Sequence, residues 1–290
     1  MSGALRDLVA AELATPVEPA VSAMAAAIAA QYPGAARAVL FYGSCLREKQ
    51  LEGLMLDFYL IVSSYRDAFG RGWFAFANRV LPPNVFPFAH DGLVAKYAVL
   101  SEADFHRLNG PEAGDVSVWA RFAQPSRLVW AADEAARERA VTAVARAAPT
   151  LLGYARPMAP ADADAVALFR RGFELTYASE LRAERKTRSG SIVDDDPERY
   201  RRLGDAALPL AHEPARAPAS WRRFRRRGKA LTLIRLAKAT TTYSGGVDYI
   251  VWKINRHAGT AIEVRPWMRR YPILGAFVML PRLWRRGAIR

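Results

Sequence analysis

The sequence predicts an α+β protein: a mixed sheet with flanking helices, then a mainly helical domain, then a basic amphipathic C-terminal tail. Three observations carry this. β-rich apolar runs at 39–42, 56–62 and 93–100 alternate with segments of helical spacing. From 161 onward the apolar spacing is helical. The charge is also lopsided: residues 221–290 hold 17 Lys and Arg against two Asp and Glu, a balance of +15. Residues 1–220 hold 25 against 26, so the tail carries the whole net charge of +14. The expected divisions are 1–150 for the sheet domain, 151–220 for the helical domain and linker, and 221–290 for the tail. Such asymmetry points to an anionic partner surface.

Residues 1–31 are Ala-rich with a single Arg and acids at Asp7, Glu12 and Glu18. This is neither a secretory signal nor an Arg-rich transit pattern. A helix over 17–31 is expected to pack on the sheet and to end at Tyr32-Pro33-Gly34.

The stretch 39–62, VLFYGSCLREKQLEGLMLDFYLIV, reads as strand, turn, short helix, strand. The first run stops at Gly43-Ser44. The second is apolar except for Asp57 and the phenol of Tyr59. A carboxylate in an apolar strand is costly unless it is paired, hydrogen-bonded or bound to a metal. Asp57, thirteen residues after Ser44, is therefore the leading candidate for chemistry. The single cysteine, Cys45, precludes an intramolecular disulfide and suits a reducing compartment. No His neighbours it in sequence, and an ordinary packing use accounts for it better than a nucleophilic one.

Residues 63–78 are aromatic: Tyr65, Phe69, Trp73, Phe74 and Phe76. Core packing and an apolar groove for a lipid or a base are both open readings. Leu81-Pro82-Pro83 ends a helix, and 86–92 is expected to be an irregular loop. The strand 93–100 contains Lys96, a cation in an apolar run. Either an anion such as Asp57 or a bound phosphate faces it, or the strand lies at an edge with Lys96 in water. Ser101 caps a helix that carries Glu102 and Asp104 in its first turn.

Residues 117–130 are expected to form a helix–turn–strand step, with Arg121 and Arg127 as candidate phosphate contacts. Amphipathic helices follow over 133–146 and 161–186. Asp194, Asp195 and Asp196 fall in a polar loop, where solvation is the simpler reading than a metal site. Residues 206–220, rich in Pro and Ala, read as a linker.

In the tail, 221–229 is basic with Arg222, Arg223 and Arg226 beside aromatic anchors, 230–239 is amphipathic, and 240–246 interrupts the pattern. The ten-residue segment 271–280 is too short to cross a bilayer as a helix, which needs about 20 residues. It suits the interface, with Trp267 and Trp284 at headgroup depth and Arg269 and Arg270 on anionic lipid. No zinc spacing or RNA-recognition motif supports nucleic acid as the partner.

The Gly43-Ser44 turn after one strand and Asp57 on the next resemble the signature of the nucleotidyltransferase superfamily. The position of that superfamily's usual second acid is Tyr59 here. One branch is similar over more of the chain: the mitochondrial-type phosphatidate cytidylyltransferases, also known as translocator assembly and maintenance proteins. Phe41-Tyr42-Gly43-Ser44 is similar to that family's Tyr-Gly-Ser turn. Met55-Leu56-Asp57-Phe58 is similar to its second strand, which lacks the second acid. Ala95-Lys96-Tyr97-Ala98-Val99-Leu100-Ser101 looks like its Lys-Tyr-Gly-Val-Val-Ser strand. Ala120-Arg121-Phe122 followed by Pro125, and the break at 240–246, are weaker echoes. Cys45-Leu46 departs from the family's usual small-apolar pair.

The resemblance implies a nucleotidyltransferase-like catalytic domain over 1–150. It implies transfer of CMP from CTP to phosphatidic acid, giving CDP-diacylglycerol and pyrophosphate, with Mg²⁺ as cofactor. Tyr42, Gly43 and Ser44 would hold the triphosphate, Asp57 would bind Mg²⁺, and Lys96 would contact phosphate, with Tyr97 packing beside it. The protein would be cytoplasmic and peripheral on the inner face of the membrane. Asp91, Glu48, Glu52 and the acids at 194–196 are conceivable further ligands. Two other classes stay open: a nucleotidyltransferase with a soluble phosphate, protein or RNA acceptor, and a membrane-associated relative without catalysis.

Overall fold

The β-rich runs pair into one five-stranded mixed sheet, and the helically spaced segments cover its two faces. The computed structural model describes residues 3–48, 54–179, 192–242 and 266. In chain order the first elements are α1 (Gly3–Leu13), α2 (Pro19–Ala30), β1 (Ala36–Tyr42), α3 (Ser44–Glu48), β2 (Met55–Val62), α4 (Tyr65–Phe69), α5 (Trp73–Val80), β3 (Asn84–His90) and β4 (Leu93–Ser101). Then come α6 (Glu102–Leu108), α7 (Trp119–Phe122), β5 (Ser126–Ala131), α8 (Glu134–Ala145), α9 (Ala147–Ala155), α10 (Ala165–Tyr177), α11 (Pro197–Ala207) and α12 (Ala217–Thr242).

The strand order is β3-β4-β2-β1-β5. The β2–β4 pair is parallel and the others are antiparallel. The parallel pair needs a crossover, and α4, α5 and β3 supply it. Alternation along each strand sends side chains to two cores. Val39, Phe41, Leu56, Phe58, Leu60, Tyr97 and Val99 meet α2 on one face. Leu40, Tyr59, Ile61, Ala98 and Leu100 face the larger core. That core also takes in Leu151, Phe169, Phe173, Tyr200, Trp221 and Phe224, so helices α9 to α12 bury their apolar sides in the same core as the sheet.

Three expectations change in detail. Residues 84–90 form a strand, not a loop. Pro87 is tolerated because β3 is an edge strand, where a missing ladder donor matters least. The linker shrinks to 211–216, because Leu208–Leu210 form a 3₁₀ turn and α12 begins at Ala217. Pro218 stands in the first turn of α12, where its missing N–H is harmless. The basic run and the amphipathic segment merge into this one helix, which continues through 240 to Thr242. Among the described residues, no helix is long and apolar enough to cross a membrane. Trp267, Arg269, Arg270 and Trp284 lie outside the described residues.

Polar ties hold the helical layer to the sheet domain. The buried Arg199 of α11 reaches back to Glu12 of α1, Nη2 to Oε1 at 2.9 Å, and its Nη1 donates to the carbonyl of Ala123 at 3.2 Å. Arg235 of α12 donates to Asp115 Oδ2 at 3.0 Å and to the carbonyl of Pro82 at 2.9 Å. Lys238 donates to the carbonyls of Leu81 and Pro83, the latter at 2.8 Å.

Candidate functional site

Strand register collects the expected residues into one row. Tyr42 of β1 pairs with Asp57 of β2, and Asp57 pairs with Lys96 of β4. The row extends to Ser126 of β5 and Pro87 of β3. Tyr42, Asp57 and Lys96 share the face of Tyr59 and Ala98, at one end of the sheet. β4 is an interior strand, so the reading of Lys96 as an edge residue facing water does not hold.

Lys96 Nζ lies 2.9 Å from Asp57 Oδ1, with side chains 28% and 20% exposed. Oδ1 itself is buried and accepts no hydrogen bond of good geometry, so its charge is met by the ammonium. The other oxygen faces the turn. Gly43 has φ of +97°, and a Cβ placed on it would stand 3.1 Å from Asp57 Oδ2. The turn needs glycine twice over: for a backbone conformation that L-residues disfavour, and for its close approach to the carboxylate. Ser44 follows as the first residue of α3.

Tyr42 leads from this pair to a second cation. Its ring packs on Tyr59 and Phe122, with centroids 5.2 and 6.1 Å away. The guanidinium carbon of Arg121 lies 5.9 Å from the Tyr42 centroid. Arg121 is aimed by a hydrogen bond from Nη1 to the carbonyl of Ser117 at 3.0 Å. Two basic groups thus flank the Tyr42–Asp57 pair, Lys96 on one side and Arg121 on the other.

Behind Arg121, Asp115 accepts from the Ser117 amide at 2.9 Å and from Arg235. Burial pushes the Asp115 carboxyl up, but Arg235 and Ser117 outweigh it and hold it below the ordinary carboxylate value. Sequence reasoning passed over this support. Its signal is Asp115-Val116-Ser117, an acid whose side chain caps the amide two residues on.

The remaining candidates separate from the row. Arg127 pairs opposite Phe41, whose side chain lies in the second core, so alternation directs Arg127 away from the face of Asp57. Cys45 is buried and its thiol donates to the carbonyl of Met55 at 3.5 Å, which is the packing use. Tyr97 belongs to the second core, with its hydroxyl 3.1 Å from that of Tyr32.

Asp91 sits in the β3–β4 turn beside His90, and Asp194 pairs with Arg170 at 2.6 Å. Asp196 caps α11 through the Arg199 amide. The Glu48 side chain and Glu52 lie outside the described residues. Among the described residues, no group of three or more His, Cys, Asp or Glu is placed to hold a metal. Arg222, Arg223 and Arg226 are exposed along α12 and line an open basic hollow with Arg225 and Arg227.

The fold and row define an α+β protein with an acid and two cations on one face of a mixed sheet. No protein-family model matches the chain, and no curated protein matches it significantly.

Proposed function

We propose that this chain is a nucleotidyltransferase that moves CMP from CTP to phosphatidic acid, giving CDP-diacylglycerol and pyrophosphate. The observation that carries the reading is the Tyr42–Asp57–Lys96 row, with Gly43 against the carboxylate. It joins the turn, the acid and the cation that the sequence resemblance links to this chemistry. A phosphatidate oxygen would attack the α-phosphorus of CTP. A new P–O bond forms, the bond to the β-phosphate bridge breaks, and pyrophosphate leaves with the electron pair.

Asp57 is suited to a Mg²⁺ that arrives with the triphosphate, because Mg²⁺ is commonly bound through one or two carboxylates plus substrate phosphates. Asp57 Oδ1 makes no hydrogen bond beyond its ion pair with Lys96, which leaves it lone pairs for such an ion. When bound, the ion would neutralise charge on the phosphates. Lys96 and Arg121 would take up negative charge on the phosphoryl oxygens as it redistributes. Gly43 lets the backbone come close to the phosphates, and Lys96 holds the carboxylate in one orientation. The arginines of α12 and the basic tail favour an acceptor presented on an anionic surface, so the protein is read as peripheral to a membrane.

The test is label transfer from CTP to phosphatidic acid vesicles by purified protein. Lipid-soluble label that requires Mg²⁺ and is lost in Asp57→Ala supports the reading. Full activity in Asp57→Ala sinks it. CTP binding without lipid product redirects the search to a soluble, protein or RNA acceptor. One observation favours the non-catalytic alternative: the described site holds a lone carboxylate, already paired with Lys96. Absence of any CTP binding would decide for it.

A further inference from the structure

Helix α5, away from the row, carries on its outer face large apolar side chains that stand exposed among the described residues. Trp73, Phe76 and Val80 are 58%, 59% and 67% exposed. Their spacing of three and then four residues places them in one stripe, and the Trp73 and Phe76 rings lie side by side, tilted by 38° with centroids 5.9 Å apart. The inner face is firmly seated. Asn78 is buried and its Nδ2 donates to the Val99 carbonyl at 2.9 Å, while Asn84 Nδ2 donates to the Phe74 carbonyl at 3.0 Å. The stripe is therefore presented by a fixed helix. The segment after α5 is gripped by Arg235 and Lys238, which ties this face to the arginine-rich α12.

We propose that the outer face of α5 seats the protein on an anionic lipid bilayer, with Trp73 and Phe76 entering the boundary between headgroups and acyl chains. Charge selects this occupant. Residues 70–83 contain Arg71 and Arg79, both exposed, and no acid. Aromatic side chains beside Arg are the composition of an interfacial helix face. Size argues against a second copy of the chain. At 150–250 Å² per aromatic, the stripe exposes on the order of 300 Å², whereas a stable dimer buries about 800 Å² per partner. A helix of eight residues can dip into the interface without crossing it. The inference deepens the lipid-acceptor reading and rests on it for the choice of partner.

The experiment labels full-length Phe76→Cys with an environment-sensitive fluorophore; the buried Cys45 is shielded from the reagent. Vesicles of phosphatidylcholine, with and without phosphatidylglycerol, are then added. The expected result is a blue shift on the anionic vesicles, quenched by lipids nitroxide-labelled near the headgroup, and weakened in Arg71→Glu/Arg79→Glu. Trp73→Ser/Phe76→Ser should lower partitioning onto anionic vesicles at least tenfold. The same variant should keep wild-type transfer to a short-chain, water-soluble phosphatidic acid. A label that stays water-like on vesicles that carry the protein down overturns the proposal. So does a shift that grows with protein concentration without lipid, which would indicate a second copy. A lipid-dependent shift in a protein that transfers no CMP to either acceptor supports this surface and removes the catalytic reading alone.

Discussion

Lys96 stands beside Asp57 across the parallel β2–β4 pair, and its ammonium meets a carboxylate oxygen that water does not reach. Removing one partner leaves the other charge poorly compensated. Asp57→Asn and Lys96→Met are each expected to lower CMP transfer at least 100-fold and to reduce stability by roughly 1–2 kcal/mol. The double variant separates the roles. A structural pair predicts that Asp57→Asn/Lys96→Met recovers much of the stability, because neither charge is left alone. Catalytic use predicts that transfer stays absent. Urea denaturation and the labelled-CTP assay, run on the same three proteins, check both.

Gly43→Ala meets two obstacles, the positive φ and the approach to Asp57 Oδ2. The backbone penalty alone is about 1–2 kcal/mol. Gly34→Ala is the control, since Gly34 has φ of +74° and nothing within 4 Å of its added Cβ. Both variants should lower the melting temperature, Gly43→Ala by the larger amount. Only Gly43→Ala should also lower transfer, by tenfold or more.

The Asp115 carboxyl is held below its ordinary value by Arg235 and Ser117 against the effect of burial. A depressed acid contributes stability above its unfolded pKa, and that contribution is lost as pH falls through the folded value. Asp115→Asn is therefore expected to destabilise the protein by about 3 kcal/mol at pH 7, as for a broken buried pair. The gap to wild type should narrow as the solution is taken below pH 4. Urea titrations at pH 7 and pH 3.5 measure it.

Lys238 carries the opposite sign. Burial, with Arg235 nearby, holds its pKa down to about 7. Between pH 7 and the unfolded value near 10.4, the unfolded chain binds a proton that the folded chain lacks, so stability rises with pH there. The slope is at most about 1.4 kcal/mol per pH unit. Against Lys238→Met, which has no such proton, wild type should gain stability between pH 7 and pH 9. A difference that stays flat over that window would show that the amine remains charged in the fold.

The row was legible because its residues break an apolar pattern: Asp57 and Lys96 are charges inside β-rich runs, and Gly43-Ser44 punctuates one. Their pairing does not follow from the sequence, since register depends on which strand lies beside which, and the crossover that makes β2 and β4 neighbours has no local mark. β3 is hidden in the sequence because Pro87 reads as a strand breaker until the strand is known to lie at an edge. The Arg235–Asp115 tie spans 120 residues, and nothing near either residue announces the other. Arg121 and Arg127 looked alike in sequence; alternation along β5 and the short helix α7 set them apart.

The bond between Glu12 and Arg199 sets an order of events during synthesis. The two residues are 187 positions apart, so at 5–20 residues per second the acid emerges roughly 10 to 40 s before its partner. All five strands precede Arg199 in the chain, and so do helices α1 to α10. A nascent chain halted short of that point keeps Glu12 without its arginine and the sheet without α11 and α12. The last described helices act as a closing latch, one that engages only after the sheet and its first ten helices have been made.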